Sequence, residues 1–428
     1  MINEIKEIRS DRLKERVFEA THKTGLKIFY MPKPGFSKTY AVYGAKFGSV
    51  DTRFSLSGKG DYTDIPNGMA HFLEHKLFEN EDGNAFDLYS QTGASANAYT
   101  SFDKTAYLFS CTDKFEQSLK ILLSFVQKPY FTKESIENEQ GIIGQEIRMY
   151  DDDPGTRVLM NLLEALYHSN PVRIDIAGTV ESISEINDDI LYKCFNTFYH
   201  PQNMALCIAG DQDFENILSI CDKLLEAPSH PFCVDLPQIN EPDGVARAHV
   251  EQKLAVSKPL FHIGFKDTGV NFSGKAGVLN EAVCNIALQM LIGRQSPLYE
   301  ELYSCGIINS DFETEFMTGR GFGVSILAGE SELYNEIAER FLRSAEKMAA
   351  SPDPKLFELC KKSLYGKNVR VFNSTDAIAN ELIACYFNES SLFDPVDVFE
   401  NIDISMVTQK IRSHYTKERM SISIINPT

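Results

Sequence analysis

The chain has 428 residues, more than one hydrophobic core ordinarily serves, so two domains are expected. Hydrophobic residues make up 43% of it and aromatics 11%, which excludes large-scale disorder. Its 60 acidic against 42 basic residues give a formal charge of -18, which repels phosphate backbones and excludes nucleic acid as the main ligand.

Nine cysteines are scattered singly, with no C-x-x-C pair, so neither a disulfide framework nor a cysteine zinc site is expected. The segment Met1 to Glu7 is charged and lacks the apolar stretch of a signal peptide. No apolar run approaches the roughly 20 residues needed to span a bilayer. The expectation is a cytoplasmic protein without a membrane segment.

In chain order, Gly25 to Val50 alternates β-favouring residues with Gly and Pro punctuation and predicts two antiparallel strands. Asn67 is placed to cap a helix reaching Phe78. Two strands follow near Ala94–Thr100 and Thr105–Ser110, then helices over Phe115–Val126 and Lys133–Tyr150, the second ended by Asp153-Pro154. A strand at Ala205–Ala209 completes the first half. Four prolines between Pro228 and Gly244 mark a linker.

The second half repeats this order: a strand at Leu260–Phe265, helices at Asn280–Ile292 and Leu298–Tyr303, a strand at Phe322–Leu327 and a helix at Leu333–Met348. The predicted fold class is α+β, with two homologous repeated α/β-roll domains, each an antiparallel-rich sheet covered by helices. The expected boundaries are 1–227 for the first domain, 228–244 for the linker and 245–428 for the second domain.

The stretch from Gly68 to His75 contains His71-Phe72-Leu73-Glu74-His75, the H-x-x-E-H pattern of inverted zinc peptidases. On a helix His71 and His75 are four apart and project from one face, so both imidazoles can meet one metal ion. Glu74 borders the same face and is placed to take a proton from an attacking water without being a ligand. A third ligand is still required, and Glu139 and Glu146, seven apart on Lys133–Tyr150, are both candidates.

At this point the chain resembles the pitrilysin-like (M16) metallopeptidases, specifically a short bacterial branch related to mitochondrial processing peptidase. Besides H-x-x-E-H, the resemblance rests on Gly93-Ala94-Ser95-Ala96-Asn97-Ala98-Tyr99-Thr100, on Glu139-x6-Glu146, on Ile176 to Ile183, on Phe198 to Met204 and on Gly210-Asp211. It implies one Zn2+ per chain held by His71, His75 and Glu146, with Glu74 as general base. It implies further that Glu139 orients a ligand histidine or the site, and that Asn97 and Ala98 lie on an edge strand to which a peptide substrate adds. The family's Arg/Tyr substrate-holding pair finds no match by spacing, although Arg320 and Tyr334 lie in the corresponding repeat.

The second half lacks H-x-x-E-H and reads as a non-catalytic copy. The expected function is a zinc-dependent endopeptidase for extended or unfolded peptides, serving peptide degradation or leader processing. A non-catalytic assembly or scaffold subunit is the alternative. Family geometry implies a homodimer, or a heterodimer with a motif-less homologue.

Overall fold

Seven strands, β1 (Ile5–Ser10), β2 (Glu15–Thr21), β3 (Lys27–Pro32), β4 (Thr39–Ala45), β5 (Ser95–Thr100), β6 (Thr105–Cys111) and β7 (Met204–Gly210), form one sheet in the order β1-β2-β3-β7-β4-β6-β5. Every residue of β7 is buried, as its unbroken run Met-Ala-Leu-Cys-Ile-Ala requires of a strand covered on both faces. The computed structural model describes residues 5–56, 61–81, 83–269 and 272–428.

A second sheet contains β8 (His249–Leu254), β9 (Leu260–Lys266), β10 (Glu313–Gly319), β11 (Phe322–Glu330) and β12 (Met420–Pro427), in the order β8-β12-β9-β11-β10. The run β3-β7-β4-β6-β5 and the whole second sheet share one topology, a parallel first pair followed by three antiparallel pairs. The repeated α+β fold is therefore present in strand order and direction. Strands β1 and β2 are an addition at one edge of the first sheet.

The chain folds as two compact units that are not contiguous in sequence. One comprises Met1–Ile147, Asp175–Gln238 and Arg370–Phe387, and the other Arg148–Ile174, Ile239–Val369 and Asn388–Thr428. The contiguous domains expected at 1–227 and 245–428 miss a reciprocal exchange of helices. Helix Thr375–Phe387, from the second half, covers β7 and β4 of the first sheet, while helix Pro154–Leu166 covers β12 and β9 of the second. An apolar helix face specifies that it must be covered, not which sheet covers it. Ile378, Leu382 and Ile383 on one helix, and Val158, Leu162 and Leu163 on the other, are buried, and each such side chain contributes about 1.5–3 kcal/mol.

Two strand glycines admit these helices. A Cβ on Gly44 of β4 would lie 2.5 Å from Ile383 Cδ1, and one on Gly264 of β9 would lie 2.8 Å from Leu162 Cδ2. The positions are equivalent: the following residues, Ala45 and Phe265, pair with Met204 and Met420, the first residues of β7 and β12.

The predicted linker is tied down along its length. Asp235 forms a backbone bridge with Ser55 in the first unit. Glu241, in the second, accepts the backbone N–H groups of His168, Ser169 and Asn170 and pairs with the buried Lys266 ammonium at 2.5 Å. Among the described residues, no single helix is long and apolar enough to cross a membrane.

Candidate metal centre

The H-x-x-E-H residues lie on helix Met69–Leu77, which packs across β5 and β6 near the sheet edge. Gly68, not the expected Asn67, occupies its N-cap, with φ 88 and no side-chain capping bond. A Cβ there would lie 2.3 Å from the carbonyl oxygen of Ala177, so the helix starts against backbone that only glycine admits. Asn67 instead offers its carbonyl to the Ser182 hydroxyl at 2.9 Å.

His71 and His75 stand side by side, with ring centroids 4.6 Å apart. The helix Lys133–Asp152 brings Glu146 to both: its Oε2 lies 3.8 Å from His71 Nε2 and 3.6 Å from His75 Nε2. Among the described residues, these three form the one group of His, Cys, Asp or Glu whose ligand atoms all lie within 4.8 Å of one another. Ligands about 2.0–2.1 Å from a tetrahedral zinc ion would be about 3.3 Å apart, so the set fits that ion once its ligand atoms, now within 4.8 Å of one another, draw in to that separation.

Glu139 lies on the same helix as Glu146 but meets the other side of the His75 ring, with Oε1 2.9 Å from Nδ1. In the neutral tautomer whose Nδ1 donates to this buried carboxylate, Nε2 presents its lone pair on the side of Glu146. Burial works against protonation of His75, yet the hydrogen bond it donates to Glu139 and the charges of Glu139, Glu74 and Glu146 outweigh it and raise its pKa. His71 behaves oppositely. Burial, and then the neighbouring His75 charge, push it down to about 4, and its Nδ1 is buried without a hydrogen-bond partner. His71 is thus neutral at pH 7, the form in which imidazole ligates a metal.

Glu74 points toward the strands, where its Oε2 accepts the Thr100 hydroxyl at 2.7 Å. Burial raises its carboxyl pKa, and the Thr100 bond opposes that rise without cancelling it. Asn97 and Ala98 lie on β5, the edge strand of the sheet, with Asn97 exposed and Ala98 half-buried. Among the described residues, one long edge of β5 therefore carries backbone groups without a neighbouring strand. Arg320 lies in the turn between β10 and β11, and Tyr334 opens the helix Tyr334–Ala350, both in the second unit.

Two residues of the first unit had no assigned role in the sequence. Thr100 belongs to the recognised stretch, yet spacing alone does not pair it with Glu74. Lys76, fully buried, bonds Glu79 and reaches the Ser135 carbonyl oxygen at 3.3 Å, tying the histidine helix to the start of the glutamate helix. A lysine beside a histidine in sequence carries no signal of that kind.

The family model of insulinase (peptidase family M16) matches residues 59–180, which include His71, Glu74, His75, Thr100, Glu139 and Glu146, and that of the peptidase M16 inactive domain matches residues 185–364. The chain is 41% identical over 432 residues to the uncharacterized zinc protease YmfH of Bacillus subtilis (strain 168), covering 99% of each. It is 32% identical over 170 residues to the mitochondrial-processing peptidase subunit beta of Caenorhabditis elegans, covering 38% of this chain and 37% of that one. The putative M16-like peptidase from Alicyclobacillus acidocaldarius superposes with a TM-score of 0.91 at 30% identity, over 99% of this chain and 98% of the other. The match to YmfH spans both repeats at an identity far above what shared fold alone requires. The chain belongs to peptidase family M16.

Proposed function

We propose that this chain is a zinc-dependent endopeptidase acting on extended or unfolded peptides. In this reading His71, His75 and Glu146 hold one Zn2+, Glu74 is the general base, and Glu139 fixes the tautomer and orientation of His75. The observation that carries it is the convergence of two imidazole Nε2 atoms on one carboxylate oxygen, beside a glutamate whose charge acts on the same groups. A zinc ion held by these three residues would supply Lewis acidity, lowering the pKa of a water bound to it toward about 7.

The chain's own residues do the rest. Glu74 accepts the proton of the attacking water and returns it to the departing amine. The buried Glu139 carboxylate keeps the Nε2 lone pair of His75 aimed inward. The edge strand β5, through Asn97 and Ala98, receives the substrate backbone as an added strand, which selects for extension rather than for side chains. Such pairing suits unfolded peptides, whether for degradation or for leader removal.

Likeness to a processing-peptidase subunit supports action as a dimer, either with itself or with a homologue lacking the motif. The absence of H-x-x-E-H from the second half of the sequence points the same way. The residue types also favour work in a reducing cytoplasm, since nine cysteines are present and seven of them are buried thiols.

The test is cleavage of a mixed library of unstructured peptides, by the chain alone and with candidate homologues, with and without chelator. Glu74→Gln is expected to keep one zinc per chain and lose cleavage. Unchanged turnover in that variant would falsify the mechanism. Cleavage that appears only when a homologue is added would identify an obligate heterodimer.

A further inference from the structure

Thr100 is the last residue of β5, and the β5–β6 register sets it opposite Thr105. The two hydroxyls are 3.5 Å apart, but Thr105 Oγ1 donates to the Phe47 carbonyl oxygen at 2.8 Å. A hydroxyl has one proton, and that of Thr100 goes to Glu74 Oε2 at 2.7 Å. The connection after Thr100 is held by backbone: Ser101 N–H donates to Lys104 O at 2.8 Å, Ser49 N–H to Ser101 O at 3.1 Å, and Val50 N–H to Phe102 O at 2.9 Å. A side chain at Gly48 would meet the Phe102 carbonyl and Asp103 nitrogen at 2.5 Å, so that segment is seated without slack. As a β-branched residue in a strand, Thr100 is also restricted in χ1. Its hydroxyl is therefore a fixed donor at the end of an edge strand.

We propose that Thr100 is the positioning residue of Glu74, reserving Oε2 so that proton transfer takes place on Oε1. The inference rests on the reading of Glu74 as general base. As the water oxygen bonds to the peptide carbonyl carbon, the C=O π pair moves onto the carbonyl oxygen and a water proton passes to Oε1. As that pair re-forms the C=O bond and the C–N pair leaves on nitrogen, the same proton passes from Oε1 to the amine nitrogen, and the carboxylate is regenerated. Throughout, the Thr100 hydroxyl keeps its own proton and holds the carboxyl group in one rotamer. Rotation of Glu74 away from the water is thereby opposed at the same place where the substrate strand would be seated.

Thr100→Val keeps the shape and the strand preference and removes only the donor. In the full zinc-loaded chain it is expected to lower kcat roughly 10- to 100-fold, as loss of a hydrogen bond to a charged group does, with KM and zinc content unchanged. Thr100→Ser is expected to restore most of the loss. In a Glu74→Gln background Thr100→Val is expected to lower the residual rate no further. Wild-type kcat in Thr100→Val, a full additional loss in the double variant, or failure of Ser to rescue would each overturn the proposal. A second readout needs no turnover: Thr100→Val should lower the unfolding midpoint, and do so much less in a Glu74→Ala background, equal shifts in both backgrounds counting against it. Should Glu74→Gln turn over like the wild type while the midpoints still couple, the general-base reading fails and this proposal with it, although the hydrogen bond stands.

Discussion

Nδ1 of His75 lies 2.9 Å from Oε1 of Glu139, a carboxylate only 5% exposed. The pair joins two helices that are 64 residues apart in sequence at this contact. Partners of this kind fix which nitrogen of a histidine presents its lone pair and commonly change metal affinity about 10- to 100-fold. Glu139→Gln, which keeps an acceptor but loses the charge, is expected at the lower end of that range. Competition with a chromogenic chelator measures it, and an unchanged zinc dissociation constant would remove Glu139 from the site.

His71 and Glu146 are expected to matter more directly. Each would supply one of the three proposed ligand atoms, which lie within 4.8 Å of one another, so removal of either would leave a two-ligand site. His71→Ala and Glu146→Ala should therefore emerge from gel filtration without stoichiometric zinc, while Glu139→Gln retains it at high zinc concentration. One zinc per chain in purified Glu146→Ala would rule out the proposed ligand set.

The exchanged helices make matched demands on Gly44 and Gly264. An added methyl would sit 2.5 Å from Ile383 Cδ1 or 2.8 Å from Leu162 Cδ2, so Gly44→Ala and Gly264→Ala each force repacking at a cost of about 1–3 kcal/mol. Gly141 is the control. It is exposed within a helix, and its Cβ would meet nothing within 4 Å, so Gly141→Ala should stabilise by about 0.5–1 kcal/mol. Urea unfolding of the three variants checks both signs, and a stabilised Gly264→Ala would contradict the packing described.

The second unit should lose stability in mild acid because of His414. Burial holds its pKa down at about 3, although the nearby Asp267 pulls the other way. Asp267 is engaged by Lys410 at 2.8 and 2.9 Å and stands 3.6 Å from His414 Nδ1, which has no hydrogen-bond partner. An unfolded histidine titrates near about 6.5, so between roughly pH 6.5 and 3 the unfolded chain binds more protons and stability falls as pH falls. Asp267, whose folded pKa is lowered, adds loss only below the unfolded carboxylate value near about 3.9. His414→Gln should therefore unfold with a weaker pH dependence than the wild type between pH 7 and 5, whatever its absolute stability. Identical slopes in denaturant titrations at the two pH values would show that His414 carries no such linkage.

Local geometry made much of this molecule legible in advance. His71, Glu74 and His75 are three and four apart, and a helix alone brings them to one face. The strands near residues 94–100 and 105–110 and the repeated order of elements followed from periodicity and punctuation, and five strands of the first sheet share their order with the second. The sequence alone thus determined a duplicated α+β chain carrying one H-x-x-E-H helix.

Tertiary structure decided the rest, because it turns on contacts between residues far apart in the chain. Glu139 and Glu146 share a helix face, and spacing does not choose between them. Only the approach of that helix to His71 and His75 sets Glu146 beside both Nε2 atoms and Glu139 behind Nδ1. Gly68 rather than Asn67 starts the histidine helix because the Ala177 carbonyl leaves no room for a side chain. The helices Pro154–Leu166 and Thr375–Phe387 fall within the domain ranges expected for their own halves, yet each covers the sheet built by the other half. Thr100 reaches Glu74 across 26 positions, through a strand register that no local pattern encodes. Periodicity records which face of an element is apolar; the partner of that face is settled only when the whole chain packs.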